Sequence, residues 1–309
     1  MALSDDPYDA TELVAFINEV WTPMAQEQYF AKAVASNFFV DLSEFATGGG
    51  DIFHVPDYFT GTFSVQSQTT QATVVTTDAP PTTDTTLSIN THKYISTLLG
   101  YKDQQQLKRD TYNLSALNNR KAGGTLLHDL EDALFAAHSS VTTNAIGDTA
   151  TVLTESEIRR AIEKLATLNV PLDECAFFFH PYTYYVQILN IARYYDASQA
   201  GWAVNTPVQN GNFGPADRSR GLHGQLLGIP VFVSSRVVNT LNSVRNLLSH
   251  KEMQVFAHQT PGGGKVRVQA QNLLDFLGIL TVWDTIYGVK VTREATASKL
   301  SASNAFIAS

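Results

Sequence analysis

The sequence has a single cysteine, Cys175, among its 309 residues. One thiol cannot form an intrachain disulfide, so the composition indicates a protein that folds in a reducing compartment. Cys175 begins the apolar run CAFFF, where a thiol that packs in a core is more common than a nucleophile. We therefore predict an inert, buried thiol. A structural zinc site is not expected, because the eight histidines show no ligand spacing that one cysteine would complete.

Charged residues are also scarce, at 16% of the chain against about 25% in an average soluble domain. Interface cores are depleted of charged side chains because their desolvation is costly. The composition therefore indicates extensive association with other chains. The net charge of −8 argues against a protein that grips nucleic acid through its phosphates, which requires clustered lysine and arginine. An acidic wall can still enclose DNA without sequence-specific binding.

Long apolar runs are absent. No apolar stretch approaches the roughly 18 residues of a membrane span, and the candidate at 272–283 is interrupted by Asp275. The first six residues, MALSDD, are acidic where a secretory signal would be basic. We therefore expect a soluble protein that is made inside the cell and does not bind a membrane.

Motifs of enzyme chemistry are missing as well. The glycines before Lys265 are followed by Val266, whereas a P-loop needs a serine or threonine there to reach magnesium. Neither a GxSxG nucleophile elbow nor an HExxH zinc helix occurs. His180, beside a proline, is interpreted as a hydrogen-bonded residue at a strand end. We predict no catalytic residue, no metal site and no cofactor.

The N-terminal residues are typical of an arm rather than a domain. Short helical patterns at 11–20 and 31–39 are followed by the triple glycine at 48–50, a turn signal. These segments are apolar but too short to enclose a core. We therefore expect the arm to bury its apolar residues on another subunit.

A threonine-rich stretch follows the arm. No lysine or arginine occurs between Lys32 and Lys93, and residues 61–91 contain eleven threonines. Alternating polar and apolar residues at 62–65 and 86–89 predict the two strands of a long β-hairpin. A hairpin with so few large side chains is not stable alone. We expect it, like the arm, to become ordered only on identical neighbouring chains; the alternative is that the hairpin is disordered.

A long helix is predicted next. Residues 102–112 are charged and amphiphilic, and leucines repeat at helical spacing in 125–138. Gly123 and Gly124 are expected to bend this helix without ending it. This helix contains three acids, Asp129, Glu131 and Asp132. We interpret them as a solvated or salt-bridged face of the helix.

The remaining chain has the pattern of a compact α/β unit and a final sheet. TESE at 154–157 is a capping box, and the apolar stripe of the helix after it continues to Leu168. Further predictions are a strand at 175–179, a helix with Tyr185, Ile188, Leu189 and Ala192 on one face, and strands at 228–233 and 253–256. Alternation at 265–268, 280–283 and 287–293 predicts three strands of a separate sheet.

This order of parts resembles the HK97-type capsid family. Four local strings carry the resemblance: INTHKY at 89–94, FFFHP at 177–181, LGIPVFVS at 227–234 and YGVKVTR at 287–293. The resemblance covers most of residues 10–298 and implies an α+β, HK97-type capsid fold. The implied parts are an N-terminal arm at 1–52, an extended loop at 53–92, a peripheral domain with its spine helix at 93–150, an axial domain at 151–258, and the C-terminal peripheral strands and tail at 259–309.

The resemblance implies the major capsid protein of a tailed bacteriophage (Caudoviricetes), which is not an enzyme. Its subunits would assemble into pentamers and hexamers of an icosahedral shell around double-stranded DNA. No long, charged N-terminal coiled segment is present, so a separate scaffolding protein is implied. A portal protein and a decoration protein are further expected partners. The location would be the virion capsid, after synthesis in the host cytoplasm.

Contacts between subunits are expected to pair acids of the hairpin with bases elsewhere. The candidate acids are Asp78 and Asp84, and the candidate bases are Lys108, Arg109, Arg120, Lys121, Lys290 and Arg293. Arg218 and Arg220 would lie in a loop around the ring axis, where they would hold an anion or a neighbour's acid or would simply be solvated.

Three alternative functions remain open from the sequence. An encapsulin-like compartment would share the fold and enclose a cargo enzyme. A soluble α/β enzyme would have its site in the loop at 201–224. A phage tail or decoration protein fits the α/β middle of the chain poorly.

Overall fold

The computed structural model describes residues 33–48, 50–57, 65, 83–102, 114–191, 222–240, 243–259, 265–275 and 277–303. The helix predicted at 11–20 and nearly all of the amphiphilic stretch at 102–112 lie outside these ranges. Of the strand predicted at 62–65, only Val65 is described, and it belongs to no strand and is 97% exposed.

The described chain forms three helices and fourteen strands. The helices are α1 (Ala35–Phe38), α2 (Leu114–Ser139) and α3 (Glu155–Thr167). The strands of the first half are β1 (Val40–Asp41), β2 (Ile52–Asp57), β3 (Thr83–Ser88), β4 (Thr91–Gly100), β5 (Ala145–Ile146) and β6 (Cys175–Phe179). The strands of the second half are β7 (Leu222–Leu226), β8 (Ile229–Val233), β9 (Asn239–Thr240), β10 (Ser243–His250), β11 (Gln254–His258), β12 (Arg267–Leu273), β13 (Gly278–Val291) and β14 (Ala297–Ser303).

The first sheet is built around β13. Its path is β1-β11-β13-β12, and β4 also pairs with β13. The sequence predicts two short strands at 280–283 and 287–293, but one strand of 14 residues covers the first of them and the second up to Val291. The prediction of a separate C-terminal sheet is also wrong, because β13 pairs with β4 and β11 from earlier parts of the chain. The polar residue that broke the alternation, Asp284, is accommodated in the strand by an arginine of β12.

The second sheet has the order β5-β14-β10-β6-β8-β7, with β9 also paired to β10. The strands predicted at 175–179 and 228–233 are confirmed as β6 and β8, which run parallel. The sequence patterns missed β10 and β14. The division into domains stays a prediction, but sheet membership departs from it at three strands. β11 belongs to the first sheet, while β5 and the C-terminal β14 belong to the second.

The two long helices follow their sequence signals closely. The helix α2 runs for 26 residues and passes Gly123 and Gly124 without a break, as predicted. The capping box of α3 is confirmed, since the Glu157 amide donates to the Thr154 hydroxyl and the Thr154 amide donates to the Glu157 carboxylate. The predicted stripe is wrong at its end: Leu168 is 50% exposed, because the helix has already ended and Asn169 adopts a left-handed φ of 56°.

Two other predicted helices are shorter or wound differently. The arm helix predicted at 31–39 is reduced to the four residues of α1. In place of the helix with Tyr185 on its buried face, the chain forms a π turn at Thr183–Gln187 and a 3-10 turn at Ile188–Asn190. The wider π turn changes the phase of the side chains, so Tyr184 is buried and Tyr185 is 52% exposed.

Both faces of the second sheet are covered. Phe177 and Phe179 point to the core beneath α3, and Phe178 between them points to the core beneath α2. The arm residues Val34 and Phe39 belong to this second core, at 1% and 4% exposure. The expectation that the arm becomes ordered only on a neighbour is therefore wrong for residues 33–39, which complete a core of their own subunit.

Candidate assembly surface

The arm is fastened to α2 by a buried carboxylate, Glu131. Its Oε2 accepts hydrogen bonds from the backbone amides of Val34 (3.2 Å) and Ala35 (2.9 Å), and its Oε1 accepts one from Ser36 (2.8 Å). The Glu131 side chain is fully buried. These amides begin α1 and have no partner within that helix. The prediction of a solvated or salt-bridged Glu131 is wrong, because the acid satisfies backbone donors brought from about 95 residues away in sequence.

The hairpin is formed by β2 and β3, which pair antiparallel from Ile52 with Ser88 to Asp57 with Thr83. The strand predicted at 86–89 is thereby confirmed, while the described first strand lies earlier than predicted. The root of the hairpin is packed on the first sheet, where Leu87 and Ile89 contact Val255 and Ala257 of β11. This half of the hairpin is therefore supported by its own subunit.

A glycine of β13 permits the close approach of the hairpin. A Cβ atom added to Gly288 would overlap the carbonyl oxygen of Ser88. We expect Gly288→Ala to displace the hairpin root and to lower the free energy of unfolding by about 1–3 kcal/mol, a typical cost of overpacking. Chemical denaturation of the full chain measures this change.

Gly123→Ala is the matched control for this substitution. The added Cβ of Gly123 meets nothing within 4 Å and lies within α2. It should raise the free energy of unfolding by up to about 1 kcal/mol, because alanine is the better helix former. Equal effects of the two alanines would contradict the close approach at Gly288.

A pocket of about 230 Å³ lies beside the hairpin root, between the hairpin and the body of the subunit. Its lining includes the ion pair between Arg293 Nη1 and Glu252 Oε2, which are 2.6 Å apart. Its walls are mostly apolar and are formed by Val40, Leu42, Val55, Pro56, Thr85, Val255 and Thr292. The predicted contact residue Arg293 thus pairs with an acid of its own chain.

The three long strands of the first sheet are tied together at Asp284. Its carboxylate accepts two hydrogen bonds from Arg267 of β12 (2.9 and 2.6 Å) and lies 3.0 Å from Nε2 of His92 on β4. The side chain of Asp284 is only 4% exposed. The Arg267 guanidinium, followed by His92, lowers the pKa of Asp284 despite its burial. An acid within an alternating strand was the only sequence signal of this network.

The other acids of α2 contact the body of the subunit. Asp129 accepts a hydrogen bond of 2.7 Å from the hydroxyl of Tyr287, and Lys93 lies 3.9 Å from it. Burial, together with Asp129, raises the pKa of Tyr287. Asp132 forms a bidentate ion pair with Arg236. The prediction of a salt-bridged face is confirmed for these two acids.

The predicted contact residues do not form one cluster in the described chain. Asp84 is exposed on β3 and lies 2.5 Å from His54 across the hairpin. Arg120 and Lys121 are exposed on α2 near Trp283, and Lys290 is exposed on β13. Seven residues of extended strand separate Trp283 from Lys290, or roughly 23 Å. The other predicted contact residues, Asp78, Lys108, Arg109, Arg218 and Arg220, lie outside the described residues.

Cys175 and His180 carry reactive groups, but both side chains contact the interior of their own subunit. Cys175 is buried, and burial, reinforced by Asp173 and Glu174, raises the pKa of its thiol to about 12. The prediction of an inert core thiol is confirmed. His180 accepts a hydrogen bond from the Tyr182 amide (3.2 Å), and burial lowers its pKa. It is the hydrogen-bonded strand-end residue that was predicted.

The described ranges lack a metal centre and a membrane-spanning helix. They contain no group of three or more His, Cys, Asp or Glu side chains that could hold a metal ion. No helix among them combines the length and the apolar character that a bilayer crossing requires.

Comparison with known proteins gives matches to solved structures only. No family model matches the sequence, and no curated protein does. A chain from Mycobacterium phage Che8 is 18% identical with a TM-score of 0.67, covering 92% of this chain and 97% of its own. The capsid structure of cyanophage P-SCSP1u is 13% identical with a TM-score of 0.68 and covers 97% of each chain. The capsid of Ralstonia phage GP4 is 12% identical with a TM-score of 0.67, covering 100% of this chain and 99% of its own.

These similarities extend over almost the full length of each chain. At such low identity they concern the backbone arrangement and not the individual side chains. The chain has the α+β, HK97-type capsid fold that its sequence predicts.

Proposed function

We propose that this chain is the major capsid protein of a tailed bacteriophage and assembles into the pentamers and hexamers of an icosahedral shell. The observation that carries this proposal is the structural similarity to phage capsid chains over at least 92% of this chain and 97% of the compared chains. A fold by itself does not determine a function. The match to the capsid of phage GP4 covers the whole chain, and therefore also the arm and the hairpin. Such extended segments are typical of proteins that assemble and not of compact enzymes.

The composition supports the same proposal. A chain with 16% charged residues is suited to large buried interfaces. Exposed apolar side chains are available for such interfaces in the first sheet and its turn, among them Tyr94, Leu98, Leu274 and Leu277. The chain would enclose double-stranded DNA without sequence-specific binding, in keeping with its net charge of −8.

The mode of assembly is proposed from the charges that the sequence places in the hairpin, the long helix, the loop at 201–224 and the last strands. Subunits would close into rings through heterologous, head-to-tail contacts. The acids Asp78 and Asp84 would meet bases of the next subunit, drawn from Lys108, Arg109, Arg120, Lys121 and Lys290. Arg218 and Arg220 would lie around the ring axis. Each exposed ion pair contributes only about 0–1 kcal/mol, so their role would be to set the register of the contact.

Other components of the particle are proposed on the same basis. A separate scaffolding protein would direct assembly, a portal protein would occupy one vertex, and a decoration protein could bind the outer surface. The axial domain at 151–258 would lie around the ring axis. The peripheral parts at 93–150 and 259–309 would lie away from the axis, where the hairpin of a neighbouring subunit would cross them.

Expression with and without the candidate scaffold tests the proposal directly. We expect rings or closed shells by negative-stain electron microscopy and a matching large species in sedimentation. A small, monodisperse oligomer at high concentration would contradict a capsid function and favour the soluble enzyme. Shells that form without a scaffold and copurify with a cargo enzyme would instead indicate an encapsulin-like compartment.

Charge reversal at Lys290 tests the proposed role of charges. Lys290→Glu should leave the unfolding of the subunit within about 0.5 kcal/mol of the wild type, because the side chain is exposed. It should raise the critical concentration for assembly about fivefold or more, the equivalent of 1 kcal/mol per contact. Light scattering against subunit concentration measures this change, which high salt should reduce.

Arg160→Glu is the matched control, because Arg160 is also exposed but lies on α3 beside the second sheet. Equal weakening of assembly by both reversals would mean that net charge, and not the position of Lys290, is responsible.

A further inference from the structure

Two neighbouring buried side chains have polar atoms without hydrogen-bond partners. Among the described residues, five buried side-chain nitrogen or oxygen atoms lack a partner, and four of them belong to His138 and Gln254. His138 is 3% exposed, and Gln254 is fully buried. The Gln254 side chain lies close enough to the imidazole to raise its pKa against the larger effect of burial, but no polar atom of either side chain has a partner at hydrogen-bonding distance and angle. Such atoms are rare in folded proteins and require an explanation.

The surroundings of the pair are apolar and aromatic. The imidazole of His138 has the rings of Phe39, Phe135 and Phe178 at centroid distances of 5.0, 5.3 and 6.1 Å. Aromatic rings at these distances exclude bulk water and supply no strong hydrogen bond. The polar atoms must therefore be satisfied within the enclosure itself.

Two other buried amides among the described residues have partners for both their oxygen and their nitrogen, in contrast to Gln254. Gln187 is 3% exposed, its Oε1 accepts from the Leu153 amide (3.1 Å), and its Nε2 donates to the Ser303 carbonyl (2.7 Å). Asn246 is likewise buried with its oxygen and nitrogen bonded. At Gln187 and Asn246, groups of the protein itself satisfy the buried amide.

We propose that His138 and Gln254 form an internal binding site for one structural water molecule. A neutral imidazole offers one donor and one acceptor, and the amide offers both kinds of group. Water is the small neutral ligand that can bond to both partners at once, and buried waters commonly make two to four such bonds. An apolar ligand would leave all four atoms unsatisfied.

The site lies where three parts of the chain meet. His138 belongs to the end of α2, Gln254 begins β11, and Phe39 of the arm closes the site beside the imidazole. The water would therefore bridge the long helix to the first sheet under the arm. This inference does not depend on the proposed capsid function.

A high-resolution map of the wild-type full chain, as assembled particles or as crystallised subunit, tests the site. We expect one density peak within about 2.7–3.2 Å of a His138 nitrogen and of a Gln254 amide atom. No such peak is expected beside Gln187, whose partners are complete. An empty enclosure, or a Gln254 amide rotated into a direct bond with the imidazole, would overturn the proposal.

Substitutions provide a second measurement on the same full chain. His138→Phe and Gln254→Leu should each shift the unfolding midpoint downward, because each leaves the other side chain with fewer partners. The double variant should lose less than the sum of the single losses and should show no density peak. Gln187→Leu combined with His138→Phe is the control pair, whose losses should add. Additive losses for His138→Phe and Gln254→Leu would contradict a shared water.

Discussion

Glu131→Ala is expected to detach the arm from α2 and to lower the free energy of unfolding by at least about 3 kcal/mol. The substitution removes the acceptor of three backbone amides, those of Val34, Ala35 and Ser36. Each buried amide left without a partner costs about 1–3 kcal/mol. Chemical denaturation of the full chain measures the loss. Assembly should fail at concentrations where the wild type forms particles, because residues 33–39 would no longer be held in position.

Two comparison variants separate this effect from a general effect of losing a charge. Glu131→Gln keeps one acceptor oxygen but places an amide donor opposite backbone donors, so its loss should be large but smaller than that of alanine. Glu163→Ala removes an exposed acid of α3 and should change stability by no more than about 0.5 kcal/mol. A Glu131→Ala variant as stable as Glu163→Ala would show that the arm is held by its apolar contacts alone.

Acid is expected to destabilise the subunit through His138. Burial lowers the pKa of this imidazole from 6.5 to about 3 in the folded chain. The unfolded chain therefore binds a proton more readily than the folded chain between these values. The stability associated with neutral His138 is fully present above pH 6.5 and is lost as the pH falls towards 3, with a total loss of about 4–5 kcal/mol.

Unfolding free energies measured from pH 8 to pH 3 test this dependence. His138→Phe should remove most of the decline that begins near pH 6.5. The pKa values of His180 and His258 are also lowered, chiefly by burial, so a smaller decline should remain. A profile that is unchanged in His138→Phe would refute the assignment.

Glu294→Gln is the control for this profile. The backbone amides of Thr142 and Thr143 lower the pKa of Glu294 from 4.5 to about 2. Its contribution is present above pH 4.5 and is lost only below that value. The glutamine variant should therefore change the profile at the acidic end and leave the decline between pH 6.5 and 4.5 intact.

Local signals in the sequence were sufficient for several elements. The capping box at Thr154 placed the start of α3, and leucine spacing placed α2, whose 26 residues continue through two glycines. The apolar run at Cys175 became a central strand with an inert thiol. In each case the sequence pattern lies within the element that it predicts. The element could therefore be predicted without knowledge of the distant residues that pack against it. The order of these elements was enough for the fold class.

The contact surface was less accessible to sequence reasoning. The hairpin was expected from alternation, and Asp84 does lie exposed on it, but the pairing of Asp84 with His54 was not foreseen. Arg293 was counted among the bases free for a neighbour, although Glu252 of the same chain pairs with it. The sequence shows where charged side chains occur. It does not show which of them form ion pairs within their own subunit.

The sequence by itself determined the two long helices α2 and α3, the strands β6 and β8, the scarcity of charge and, through the order of these parts, an HK97-type fold. Only the tertiary structure decided which acids are buried: Glu131 lies against arm amides about 95 positions away, and Asp284 lies between two other strands. It also decided that residues 33–39 complete a core of their own subunit. The physical reason is that periodicity reports the local preference of a side chain for water, whereas burial of a charged group depends on donors that distant parts of the chain bring to it.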